Sequence, residues 1–118
     1  MDVQTLYEKL KTIQEKKGFY FNKDREVVFE LLSALLKNKE RYGYMCCPCR
    51  IACGEQTIDQ DIVCPCEYRA PDVEEFGSCF CKLYVSKDWN EGKLSHEFVP
   101  ERRPQEKIDQ AIDRLDAE

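Results

Sequence analysis

All eight cysteines of this 118-residue chain lie between positions 46 and 81: Cys46, Cys47, Cys49, Cys53, Cys64, Cys66, Cys79 and Cys81. A scaffold of structural disulfides has no need to confine its bridges to one stretch, whereas a single shared site does. The start, Met1 to Thr5, has neither the basic nor the apolar region of a secretory signal. No apolar run approaches the roughly 18–20 residues that cross a bilayer. The expectation is therefore a cytoplasmic protein with no membrane contact, in a reducing compartment where clustered cysteines point to metal binding or redox catalysis. The length suits one domain over residues 1–118, whose modest core a covalent or metal staple would reinforce. With 18 basic and 23 acidic side chains the net charge is −5, which argues against nucleic acid as a partner. An acidic protein partner stays open, because a local basic patch can dock where the whole molecule repels.

Helical patterning surrounds the cysteines. Val3, Leu6, Leu10 and Ile13 predict a helix over residues 2–17 with Gly18 as its stop. Asp24 can cap a stronger one, in which Val28, Leu31, Leu32, Leu35 and Leu36 form a core-facing stripe ending near Gly43. Short helical turns are predicted near 55–61 and 72–76, the second opening on Pro71-Asp72. Lys82 to Val85 reads as a short extended segment and 86–103 as irregular. Pro104 followed by Ile108, Ala111, Ile112 and Leu115 predicts an amphipathic tail helix over 104–118. The fold class is mainly α: a small multi-helical domain with cysteine-rich loops and a core motif region over 24–90.

Six cysteines form three Cys-x-Cys units: Cys47-Pro48-Cys49, Cys64-Pro65-Cys66 and Cys79-Phe80-Cys81. In an extended backbone residues i and i+2 point to one side, and proline biases the residue before it toward that conformation. Each unit can then present two sulfurs to one centre, or one sulfur to a metal and its neighbour beside it. Six sulfurs exceed by two what a tetrahedral zinc or a four-iron cluster takes. A structural zinc module for protein binding competes with this reading, but zinc ligands usually follow Cys-x(2–4)-Cys spacing, and four thiols would stay unexplained.

The order of these units, after a leucine-rich helix and before a short hydrophobic stretch, resembles the catalytic β chain of ferredoxin:thioredoxin reductase. The likeness runs from about Asp24 to Asp88, and Lys39-Glu40-Arg41-Tyr42-Gly43 leading into Cys47-Pro48-Cys49-Arg50 shares it. The resemblance implies a fold wrapped around a 4Fe–4S cluster held by Cys47, Cys64, Cys66 and Cys79. It implies a redox-active disulfide between Cys49 and Cys81, with Cys49 as the nucleophile toward the target and Cys81 kept beside the cluster. The implied activity is disulfide reduction in a thioredoxin-like acceptor, with electrons from ferredoxin or a similar low-potential donor. Ferredoxins deliver single electrons while a disulfide takes two, so a cluster touching the pair would stabilise the half-reduced state. A donor near −400 mV and an acceptor near −270 mV differ by about 130 mV, or roughly 6 kcal/mol over two electrons. Plant-type members also have a small second subunit. The missing transit peptide and altered third unit here fit a bacterial or archaeal form.

The chain departs from the family in its third unit, where Phe80 stands in place of histidine. Its one histidine, His96, reads as a surface residue unless the chain folds it back over the site. The intervals between units hold 14 and 12 residues, a different division from typical members. Cys46 and Cys53 read as partly buried free thiols, or as relay thiols exchanging with Cys49. Phe80, Tyr68, Phe76 and Tyr84 can shield the site from water or simply pack the core. Arg50, Arg69, Lys82 and Lys87 read as ordinary solvated surface or as a basic patch for an acidic donor. An iron–sulfur carrier or sensor without a productive disulfide is the competing function.

Overall fold

The computed structural model describes residues 1–116, so the last two residues of the predicted tail helix lie outside them. Helix α1 spans Val3–Glu15, capped by Asp2, whose side chain accepts from the Thr5 N–H at 2.8 Å. Helix α2, Arg25–Tyr42, follows the prediction at both ends. Asp24 accepts from the Val27 N–H, a cap of the kind worth about 1 kcal/mol. Gly43 stops the helix at φ 89°, where a side chain would be strained. Val28, Leu32 and Leu35 are fully buried, and with Leu6, Leu83, Tyr84 and Cys79 they make the larger apolar cluster. The leucine stripe is thus core, as expected. Ile13 is not: it is 49% exposed, because the last turn of α1 turns Gln14 inward to accept from Arg69 Nη1 at 2.6 Å.

Beyond the cysteines the elements are short. Helix α3 (Gln56–Asp59) runs into a 3-10 turn at Gln60–Ile62, the predicted turn near 55–61. Helix α4, Arg69–Phe76, begins three residues before the prediction. Pro71 sits inside its first turn, where a missing N–H removes no helical hydrogen bond. Strand β1 (Tyr20–Phe21), which no sequence signal announced, pairs antiparallel with β2 (Tyr84–Val85) in the register Tyr20↔Val85. The predicted extended segment loses Lys82, whose φ of 64° places it in a turn. Residues 86–103 contain one helical turn, α5 (Lys87–Asn90), capped by the Ser86 hydroxyl. Helix α6, Gln105–Asp116, buries Ala111 but leaves Ile112 and Leu115 partly exposed. Helices dominate, and the chain is the mainly α, small single domain expected. Among the described residues no helix is long and apolar enough to cross a membrane.

The segment between α5 and α6 is no loose linker. Val99 is buried, and Glu101, Arg102 and Arg103 each enter an ion pair with the cysteine-bearing half. Arg103 is the most enclosed: its guanidinium donates to Asp61 and to the Ile51 and Ile58 carbonyls. Asp61 also accepts from the Tyr68 hydroxyl at 2.6 Å. Burial by itself would raise the Asp61 carboxyl, but Tyr68 and Arg103 together outweigh it and hold it below its usual value.

Two stability predictions follow from these contacts. Asp61→Asn leaves Arg103 buried without its counter-charge and should cost about 3 kcal/mol in urea unfolding at neutral pH. Because the folded Asp61 value is lowered, its contribution is complete above the unfolded value near 4 and is lost as pH falls through the folded one. The gap between wild type and Asp61→Asn should therefore narrow in acid; a constant gap would show that the carboxylate charge is not involved. Gly77, at φ 80°, ends α4 against Trp89 and Leu94, and an added Cβ would lie 2.9 Å from Leu94 Cδ1 and 3.2 Å from Trp89 Cδ1. Gly77→Ala should lower stability by about 2 kcal/mol through strain and overpacking together. An unchanged melting temperature would count against that account.

Candidate functional site

The three Cys-x-Cys units are held in place by backbone pairing. Cys46 and Val63 form an antiparallel bridge, with the Cys47 N–H donating to the Ile62 carbonyl and the Cys64 N–H to the Met45 carbonyl, each at 2.7 Å. The first two units thereby leave one short ladder side by side. The third is the tip of a hairpin closed by Cys79 N–H to Tyr84 O at 2.9 Å and Ser86 N–H to Gly77 O at 2.8 Å. Strand β1 and Asn22, whose side-chain amide donates to the Lys82 carbonyl, support that hairpin from behind.

The first and third units are not extended. The Arg50 N–H bonds to the Cys47 carbonyl and the Lys82 N–H to the Cys79 carbonyl, so the first and third units are tight turns. A turn also brings residues i and i+2 together: Cys79 Sγ and Cys81 Sγ are 3.8 Å apart. In these two units the cysteines are therefore held in turns and not in the expected extended backbone. Pro48, as the second residue of its turn, readily bends the chain.

One pocket gathers five of the six motif cysteines. Cys47, Cys64, Cys66, Cys79 and Cys81 line it with Arg50, Pro65, Arg69, Phe80 and Tyr84. The space enclosed between these residues is narrow, about 10 Å³. The pocket separates the two apolar clusters: Cys79 belongs to the leucine core, Cys47 to a smaller group with Cys46, Ile62 and Tyr68, and Cys81 packs against both. Cys49 is the exposed cysteine of the set, outside the pocket lining, with its sulfur in hydrogen-bond contact with those of Cys47 and Cys81.

The sulfurs see donors from several sides. Arg50 Nη1 lies 3.4 Å from Cys66 Sγ and 4.0 Å from Cys47 Sγ, and the Tyr84 N–H is 3.4 Å from Cys79 Sγ. Hydrogen bonds from the Cys47 and Cys81 thiols pull Cys49 down to about 3, against its burial. Cys81 is pushed well up, being the donor to Cys47 and Cys49, and burial pushes Cys64 well up. Cys49 is thus the sulfur that most readily carries negative charge, and it belongs to the most exposed of the eight cysteines.

Among the described residues no three cysteine, histidine or carboxylate side chains converge on one point as a single metal ion requires. The four cysteines predicted as cluster ligands border a common space instead, with apolar walls, the Arg50 guanidinium and the Tyr84 N–H directed at their sulfurs, and Arg69 in the wall. That is the chemistry a thiolate-ligated, anionic cluster asks of its surroundings. The residues fit such a group.

Several sequence readings change here. Arg50 and Arg69 are neither a basic patch nor solvated surface, for both are buried in the pocket wall. Arg69 is stacked 3.8 Å over Phe19 and 4.8 Å over Tyr84. Lys87 is exposed and Lys82 half-buried. Phe80 and Tyr84 line the pocket; Tyr68 lies behind it under Arg50, and Phe76 is not in its wall. Cys46 and Cys53 are fully buried outside the pocket, Cys53 donating to Asp59 at 3.4 Å. His96 stays at the surface, stacked on Trp89 at 3.6 Å. Sequence reading missed Glu101, Asp72 and Asp61, the partners that let arginines be buried here. Their only trace is the charge-dense run Glu101-Arg102-Arg103 after a buried valine, which no local period links to residue 50.

A search of curated proteins finds no match for this chain. The family model for the ferredoxin thioredoxin reductase catalytic beta chain does match, over residues 2–110, and so takes in the leucine core, the cysteine loops and the segment that pins them. With its cysteines bordering one pocket and a single thiol at the rim, the chain belongs to the ferredoxin thioredoxin reductase catalytic beta chain family.

Proposed function

We propose that this chain is a disulfide reductase in which Cys47, Cys64, Cys66 and Cys79 hold a 4Fe–4S cluster and Cys49 and Cys81 form the working dithiol. The observation that carries this reading is the division of the six motif cysteines, five around one pocket and Cys49 exposed at its edge. When bound, the cluster supplies electrons one at a time to the neighbouring sulfur pair. Cys49, as thiolate, attacks one sulfur of the acceptor disulfide, forming a mixed disulfide and releasing the other acceptor sulfur as a thiolate. Cys81 then attacks Cys49, which releases the second acceptor sulfur and leaves a Cys49–Cys81 disulfide. Two electrons and two protons restore the dithiol, so atoms and electrons balance over the cycle.

The placement of the pair supports these roles. An acceptor the size of a small protein can touch Cys49 without entering the pocket, while half-buried Cys81 stays out of its reach. The hydrogen bonds Cys81 donates to Cys47, Cys49 and Cys79 favour its neutral thiol until it acts, and burial beside apolar Phe80 and Tyr84 adds to them. A thioredoxin-like protein is the acceptor and ferredoxin or a similar low-potential carrier the donor, in a reducing compartment such as the cytoplasm. A small second subunit, as in plant-type members, is compatible with this reading.

Two measurements test it. Anaerobically purified protein should be brown, with about four irons per chain. Cys49→Ser should keep that iron and lose at least about a thousandfold in reduction of a thioredoxin disulfide, since only the attacking thiolate is gone. A colourless protein with stoichiometric zinc would overturn the reading in favour of a binding module. Full disulfide turnover by Cys49→Ser would overturn the role given to Cys49, and an iron-loaded wild type that passes electrons but reduces no disulfide would leave the chain an electron carrier.

A further inference from the structure

Arg50 follows the exposed thiol Cys49 directly, yet its side chain is only 1% exposed. After the turn that closes on Cys47, Cys49 is exposed and Arg50 is buried. There the guanidinium faces two kinds of negative charge. Nη1 lies 3.4 Å from Cys66 Sγ and 4.0 Å from Cys47 Sγ, while Nε donates to both Glu101 oxygens at 2.9 and 3.2 Å. Nη2 lies 4.0 Å from Asp72 Oδ2, and neither of those atoms has a hydrogen-bond partner. Below and beside it are the rings of Phe80, at 4.5 Å, and Tyr68, at 5.0 Å.

A buried cation with this many oriented contacts is costly unless its charge is matched. Glu101 and Asp72 supply that match, but they leave one amino group turned toward two sulfurs. The centre of the third Cys-x-Cys unit is Phe80, which can carry neither charge nor proton, and it is the ring over which Arg50 lies. Arg50 is therefore the charged group placed closest to the sulfurs of Cys47 and Cys66.

We propose that Arg50 sets the reduction potential of the cysteine-held centre and that Glu101, reaching in from the segment before α6, tempers that charge and fixes its direction. This rests on the reading that the four cysteines hold a 4Fe–4S cluster. An electron added to an anionic cluster is stabilised by a fixed cation beside its thiolate ligands and opposed by a fixed anion. Arg50 thus raises the potential and Glu101 lowers it. Arg50 acts here through the sulfur ligands and is a positioning residue, not a catalytic one.

The test uses the full chain, purified anaerobically with its cluster, as wild type, Arg50→Gln, Arg50→Lys and Glu101→Gln. Iron content and visible absorption establish loading, and a redox titration followed by electron paramagnetic resonance gives the midpoint potential. Arg50→Gln should move the potential down by at least a tenfold change in the one-electron equilibrium, about 59 mV. Arg50→Lys should restore part of that loss, and Glu101→Gln should move the potential up. Loaded Arg50→Gln with the wild-type potential would overturn the proposal. Should Arg50→Gln fail to hold iron, an unchanged or lowered potential in Glu101→Gln would overturn it instead. Wild type without iron would bring down the cluster reading first, and this proposal with it, an outcome distinct from a loaded protein whose potential ignores both charges.

Discussion

A guanidinium taken out of water must find acceptors for its donors or it destabilises the fold by several kcal/mol. Three arginines of this chain, Arg50, Arg69 and Arg103, are buried at or behind the cysteine pocket, and each solves the problem with a residue far away in sequence. Arg50 turns to Glu101, Arg69 to Gln14, and Arg103 to Asp61 with two carbonyls of the cysteine-loop region. The rest of the architecture is arranged around these requirements. They rotate the last turn of α1, they draw the segment before α6 across the loops, and they tie irregular backbone that has few ladder bonds of its own.

Apolar packing and charge divide the labour. The leucine face of α2 gives a conventional core, and Cys79 and Tyr84 extend it to the pocket. On the far side only a small apolar group remains, around Ile62 and Tyr68. A cluster that size cannot by itself fix loops as long as those carrying Cys47 to Cys66. The line of charges Glu75, Arg102, Asp72, Arg50 and Glu101 supplies the missing constraint, alternating in sign from the surface of α4 into the pocket wall.

What could be read from the sequence was what local chemistry determines. Asp24 and Gly43 mark the ends of α2 because capping and a left-handed stop are properties of single residues. The pairing of the sulfurs was legible because i and i+2 cysteines are neighbours in a strand or in a turn. Which of the two occurs was not, since it depends on hydrogen bonds made by Arg50 and Lys82 after each unit. Ile13 obeyed a helical period and still faces water, because a buried arginine 55 residues later recruits its neighbour Gln14. Strand β1 is two residues long and exists only by virtue of its partner. Arg50 and Arg69 read as surface because burial of charge depends on partners at positions 101, 72 and 14 that no window of sequence brings together.

The same long-range pairing has a meaning in time. Every motif cysteine precedes position 82, and the segment that clamps Arg50, Asp72 and Asp61 begins near Val99. A chain made from its N-terminus therefore presents all of its sulfurs before the piece that locks them exists. Chain order alone thus puts the sulfur-bearing loops ahead of the segment that fastens them.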